Sequence, residues 1–187
     1  CDLSQVGCFR GVSKMTVITL TVTDHSLEEG TYRVDFHAEG SQIDEGRATA
    51  AYFTGFYLHT LINTPDFLAG ASECGKQLFA AGAESGVMHY GTEKAKAILT
   101  ITDVDTDTGQ MSFSLEGEGG DLSGKTLPTP AQIIGVYMRS LLSDMNFQVA
   151  CWAFAEEFIA SHGAEITNRD SKPVANDIDT GGASRAA

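Results

Sequence analysis

One unit is written twice along this chain. Residues 20 to 40, LTVTDHSLEEGTYRVDFHAEG, lie over residues 99 to 119, LTITDVDTDTGQMSFSLEGEG, without a gap. Leu20, Thr21, Thr23, Asp24, Gly30, Glu39 and Gly40 meet Leu99, Thr100, Thr102, Asp103, Gly109, Glu118 and Gly119. Apolar positions agree as well: Val22 with Ile101, Tyr32 with Met111, Val34 with Phe113, Phe36 with Leu115. One inserted residue later GFYLHTLIN (55 to 63) lies over GVYMRSLLS (135 to 143), and the register persists with Phe67 over Phe147 and Leu78 over Phe158. A duplication constrains the fold more than any local signal, because both copies must run through the same elements in the same order.

Each copy opens with strict alternation, Ile18-x-Leu20-x-Val22 and then Tyr32-x-Val34-x-Phe36, the period of half-buried strands. Asp and Gly residues between the runs mark a hairpin turn. The period then becomes helical, with Tyr52, Phe53, Phe56, Leu61 and Ile62 in copy one and Ile133, Ile134, Tyr137, Leu141 and Leu142 in copy two. A second helix follows NTPD or SDMN, polar stretches suited to an N-cap. Its apolar stripe is Phe67, Ala71, Cys74, Gly75 and Leu78 in copy one, against the bulkier Phe147, Cys151, Phe154, Ala155 and Phe158 in copy two. This complementarity of small and large predicts that the two second helices pack against each other about a pseudo-twofold axis.

The predicted fold class is therefore α+β: duplicated ββαα units forming one antiparallel sheet with helices packed on one face. Residues 1–14 read as a flexible N-terminal extension, 15–166 as a single domain with repeats at about 16–84 and 95–163, and 167–187 as a disordered tail. VMHY (87 to 90) reads as a short edge strand.

A formal charge of −13 argues against a phosphate backbone or an anionic membrane as direct partner, since either would be repelled. No run approaches the roughly 20 apolar residues that a spanning helix needs. The four cysteines, Cys1, Cys8, Cys74 and Cys151, show neither C-x-x-C nor zinc-ligand spacing. Cys74 and Cys151 fall in helical apolar patterns and read as small buried hydrophobes, which implies a cytoplasmic or otherwise reducing compartment.

GGDLSGKT (119 to 126) spells the phosphate-binding loop pattern, with Lys125 and Thr126 as the residues that would hold a nucleotide. Its context is wrong. Such a loop leads directly into a helix whose N-terminus faces the anion, whereas here LPTP follows and the preceding strand belongs to a hairpin. Copy one has a glycine-ended connector, GSQIDEGR, at the same place, so the motif reads as that connector. Asp103, Asp105 and Asp107 are spaced like the first ligands of a calcium loop, but Thr108 and Ser114 stand where its Gly and Glu belong. An Asp-rich hairpin turn is the preferred reading, and no metal or other cofactor is assigned. The five histidines form no H-E-x-x-H and no i, i+4 pair, and no serine or cysteine has a neighbour that nominates it as a nucleophile.

Two features remain as sites. Tyr57 with Gly55, and Tyr137 with Gly135, recur in both copies. The glycines predict a close helix approach, and the tyrosines mark the best position for a ligand pocket between sheet and helices. The outer sheet face would carry Thr19, Thr21, Thr23, Arg33, Asp35, His37 and Glu39 from copy one, and Thr100, Thr102, Ser112, Ser114, Glu116 and Glu118 from copy two. That surface suits a protein partner, either a second copy or a basic one. The reading that follows is a non-catalytic acidic protein-binding or assembly module. The alternatives are a small-ligand binder or enzyme using the tyrosine pockets, and an acidic inhibitor that mimics nucleic acid.

Overall fold

The computed structural model describes residues 15–40, 47–84, 86, 93–106, 108–120, 126–162 and 165–166. The terminal extension, the tail and the strand expected at 87–90 lie outside them. Copy one contributes β1 (Val17–Ser26), β2 (Thr31–Glu39), β3 (Arg47–Ala48), α1 (Ala50–Leu61) and α2 (Pro65–Glu84). Copy two contributes β4 (Ala95–Asp105), β5 (Gln110–Gly119), α3 (Pro130–Leu142), α4 (Met145–His162) and β6 (Glu165–Ile166).

The predicted fold class holds. The four long strands form one open antiparallel sheet in the order β2-β1-β4-β5, with β1 and β4 paired at its centre. Leu20 pairs with Leu99, and these are the same position of the two repeats, so the pseudo-twofold axis passes between them. Both hairpins turn through a glycine with positive φ, Gly30 at 65° and Gly109 at 70°. A side chain is strained in that region, which accounts for glycine at this point of each copy. β3 and β6 make a separate two-stranded parallel ladder.

Alternation along the central strands sorts the two faces. Ile18, Leu20, Val22, Leu99 and Ile101 point inward and are at most 1% exposed. Burying side chains of this size contributes about 1.5–3 kcal/mol each. α1 and α3 lie directly on that inner face, and Gly55 and Gly135 are where they come closest. A Cβ at Gly135 would stand 2.6 Å from Ala97 Cβ and 3.2 Å from Leu115 Cδ1, and one at Gly55 would run into Ile18 Cγ2. The close approach predicted for these glycines is therefore helix to sheet.

The second helices pack differently from the expectation. α2 packs on α3 and α4 on α1, so each unit's second helix covers the other unit's first helix rather than its own counterpart. Small-to-large complementarity operates across the α2–α3 pair: Gly70 and Gly75 of α2 receive Tyr137 and Ile133 of α3. On the other side Phe53, Phe56 and Tyr57 of α1 meet Phe147, Phe154 and Phe158 of α4 at ring-centroid distances of 5.0–5.9 Å.

The first helices are capped in a crossed manner. Thr49 Oγ1 accepts from Tyr52 N at 3.3 Å, and Thr129 Oγ1 from Gln132 N at 3.4 Å, as N-caps should. Beyond these, Asp103 of copy two accepts at Oδ1 from Ala51 N in α1 at 3.0 Å. Asp24 of copy one accepts at Oδ1 from Ala131 N in α3 at 2.8 Å and at Oδ2 from Ala95 N at 2.8 Å. Each carboxylate sits against the positive end of the other repeat's helix dipole. The equivalence is incomplete, because the second oxygen of Asp103 is buried with no hydrogen-bond partner among the described residues.

Candidate functional site

The strand register places every residue expected on the outer face there. Four rows run across the sheet from β2 to β5: Glu39, Val17, Thr102, Ser112; His37, Thr19, Thr100, Ser114; Asp35, Thr21, Ile98, Glu116; Arg33, Thr23, Lys96, Glu118. The edge-strand members are exposed and the central ones half-buried, and the long helices all pack on the opposite face. Among the described residues no second layer lies over these rows. Val17, Lys96 and Ile98, which the sequence pattern did not assign to this face, belong to it.

The face is less uniformly acidic than composition suggests, because its charges are paired along and across strands. Arg33 donates from Nε and Nη2 to Asp35 Oδ1 at 2.9 and 2.7 Å. His37 Nε2 and Glu39 Oε1 are 3.0 Å apart, and Lys96 Nζ donates to Glu118 Oε2 at 3.0 Å. Exposed pairs like these contribute about 0–1 kcal/mol each, so they organise the surface more than they stabilise it. Glu116 makes no ion pair among the described residues.

The tyrosines occupy the helix–helix crossings. Tyr57 packs with ring centroids 5.6 Å from Phe147 and 5.0 Å from Phe154, and burial raises its pKa with a further push from Cys151. Tyr137 stands 5.0 Å from Phe67, with its hydroxyl against Gly70. Cys151 is 7% exposed; burial pushes its thiol up to about 12, with a hydrogen bond from Thr54 acting the other way. Both thiols are free; Cys151 is buried as expected, whereas Cys74 is only half-buried. Such thiols are poor nucleophiles at neutral pH.

At the glycine-rich loop, residues 121–125, and with them Lys125, lie outside the described residues. The helix after it begins at Pro130 rather than at Thr126, so proline occupies the first helical position and opens the helix instead of opposing it. No first-turn amide is left for a phosphate: Pro130 has none, Ala131 N is taken by Asp24, and Gln132 N by Thr129. Of the three aspartates with calcium-like spacing, Asp107 lies outside the described residues. Asp103 is a buried strand residue engaged with α1 and not a turn ligand.

Sequence reasoning aligned Asp24 with Asp103 but gave the pair no helix-capping role. The signal was present, since both follow inward-facing apolar residues at the same period and are therefore polar at a core position. Among the described residues no group of three or more His, Cys, Asp or Glu could hold a metal ion, and no helix is long and apolar enough to cross a membrane. No family model, curated protein or solved structure matches the chain, which stands here as a duplicated α+β domain with one open antiparallel sheet and helices packed on one of its faces.

Proposed function

We propose that this protein is a non-catalytic binding or assembly module whose open sheet face meets a basic region of another protein. The observation that carries the reading is the outer face itself, a four-stranded surface with its helices all on the other side. Its centre is threonine-rich and its flanks hold Asp35, Glu39, Glu116 and Glu118 against Arg33 and Lys96, with His37 beside Glu39. Glu116 is the carboxylate available for a partner's cation, and the net charge of −13 would speed encounter with a positive surface. Free thiols at Cys74 and Cys151 support a reducing compartment for it.

The test titrates the full chain against a fluorescent oligoarginine peptide over a series of salt concentrations. Binding is expected to weaken severalfold in the Glu116→Gln/Glu118→Gln variant. It should change little in Glu84→Gln/Glu157→Gln, which removes the same charge from exposed helix positions. Equal loss in both variants, or no binding at low salt, would overturn the assignment.

A further inference from the structure

β2 is an edge strand of nine residues, and among the described residues only β1 pairs with it. Its free edge presents unpaired backbone donors and acceptors, the surface that natural proteins block with proline, a bulge or like charges. β2 contains no proline, and the irregularity in its pairing lies at the turn end, between Asp24 and Ser26 of β1. Its outward side chains read Arg33, Asp35, His37, Glu39 and are all exposed. In reverse the order becomes carboxylate, imidazole, carboxylate, guanidinium.

We infer that β2 pairs antiparallel with β2 of a second copy of this chain about a twofold axis at Phe36, joining the two sheets into one of eight strands. In that register Arg33 stands opposite Glu39 of the other copy, and Asp35 opposite His37, each contact occurring twice by symmetry. A slip of two residues one way sets Asp35 against Asp35 and moves Arg33 away from Glu39; the other way sets Asp35 against Glu39. The charge pattern thus selects one register from its neighbours, because opposite charges directly across a ladder attract and like charges repel. A parallel in-register stack would place every charge over itself, so the same pattern opposes fibre-type pairing.

The inner face agrees with this register. Phe36 meets Phe36 and Val34 meets Ala38, and these residues are only half-buried in one chain. Phe36 already packs against Tyr52, Phe56 and His59 of α1, so pairing extends an aromatic cluster across the seam. The contact is isologous and closes at two copies, whereas β2 against β5 would be heterologous and need not close. β5 carries Ser112, Ser114, Glu116 and Glu118 outward and contains no basic residue to face the carboxylates of a second β5.

This inference deepens the assembly half of the proposed function and rests on it, but it leaves the outer face free. Sedimentation velocity and light scattering on the full chain should give twice the 19.9 kDa of one chain. Arg33→Glu and Glu39→Arg, singly, should each loosen the dimer by about tenfold or more, and the double exchange should restore it. These sites are exposed, and circular dichroism on each variant checks that the fold is intact. A monomer at every concentration, a dimer indifferent to both single changes, or a failure of the double exchange to restore association would overturn the inference. A monomer that still binds oligoarginine through Glu116 and Glu118 would overturn it alone, whereas a charge-swap-sensitive dimer that ignores the peptide would overturn only the outer-face assignment.

Discussion

The two buried aspartates are equivalent by sequence and unequal by hydrogen bonding, and that difference predicts unequal tolerance to the same substitution. Asp24 uses both oxygens, accepting from Ala131 N and Ala95 N. Asp24→Asn keeps one acceptor and turns the other into a donor facing an N–H, so one bond is lost and two donors collide. Losing a hydrogen bond to a charged acceptor and leaving a buried N–H unsatisfied costs about 2–4 kcal/mol. Among the described residues Asp103 uses only Oδ1, to Ala51 N, while Oδ2 has no partner. Asp103→Asn can keep that bond and place its amide nitrogen where nothing is displaced. It forfeits charge–dipole attraction of about 0.3–1 kcal/mol and exchanges one unpaired buried polar atom, a carboxylate oxygen, for another, an amide nitrogen. The gap between the variants is then about 2 kcal/mol. With a urea slope of about 2 kcal/mol per molar, it separates their unfolding midpoints by about 1 M. Equilibrium urea unfolding followed by far-ultraviolet circular dichroism measures it. Equal midpoints, or a larger loss in Asp103→Asn, would be incompatible with this difference in hydrogen bonding.

Other outcomes follow from the same structure. Gly135→Ala should destabilise by about 1–3 kcal/mol, despite the roughly 1 kcal/mol gained in helix propensity, because its Cβ would meet Ala97 at 2.6 Å; a neutral or stabilising result in urea would show that the helix can lift. The Cys151 thiol has its pKa raised from the ordinary 9.0 to about 12, so above pH 9 the unfolded chain releases this proton first. Its contribution to stability is whole below pH 9 and falls by up to about 1.4 kcal/mol per unit as pH rises towards 12. Cys151→Ala should therefore show a flatter decline of stability between pH 9 and 10.5 than wild type, and identical slopes would contradict the burial argument. At pH 8 a thiol-specific chromogenic reagent should modify half-buried Cys74 well before Cys151, whose reaction should wait on unfolding; simultaneous modification would count against it.

Much of this fold is legible in the sequence because duplication and period-2 alternation are local statements. They assign the strands, the inward set around Leu20 and Leu99, the outward set from Arg33 to Glu118, and the tight seats of Gly55 and Gly135. The misplaced feature, the packing of α2 and α4, is non-local. An apolar stripe says which face of a helix is buried but not which neighbour buries it, and here α4 finds α1 rather than α2. Reciprocal capping was hidden for a similar reason, since Asp24 reaches an amide 107 residues away and Asp103 one 52 residues away. Pro130 illustrates a different ambiguity: the ring that would break a helix interior starts one well at its first position. The β3–β6 ladder, with two residues on each side, is too short for any periodicity to reveal.

Crossed capping and crossed helix cover together mean that one ββαα unit cannot be finished alone. Its first helix would lack the aspartate that answers its N-terminus, and its central strand would have a bare edge. Two such units on separate chains would complete each other only as concentration allowed. Carried on one chain, they meet at an effective concentration on the order of millimolar, whatever the protein's abundance. Dilution that would dissolve such a pair leaves the fused molecule intact, and a lesion in either half registers in the helices of the other.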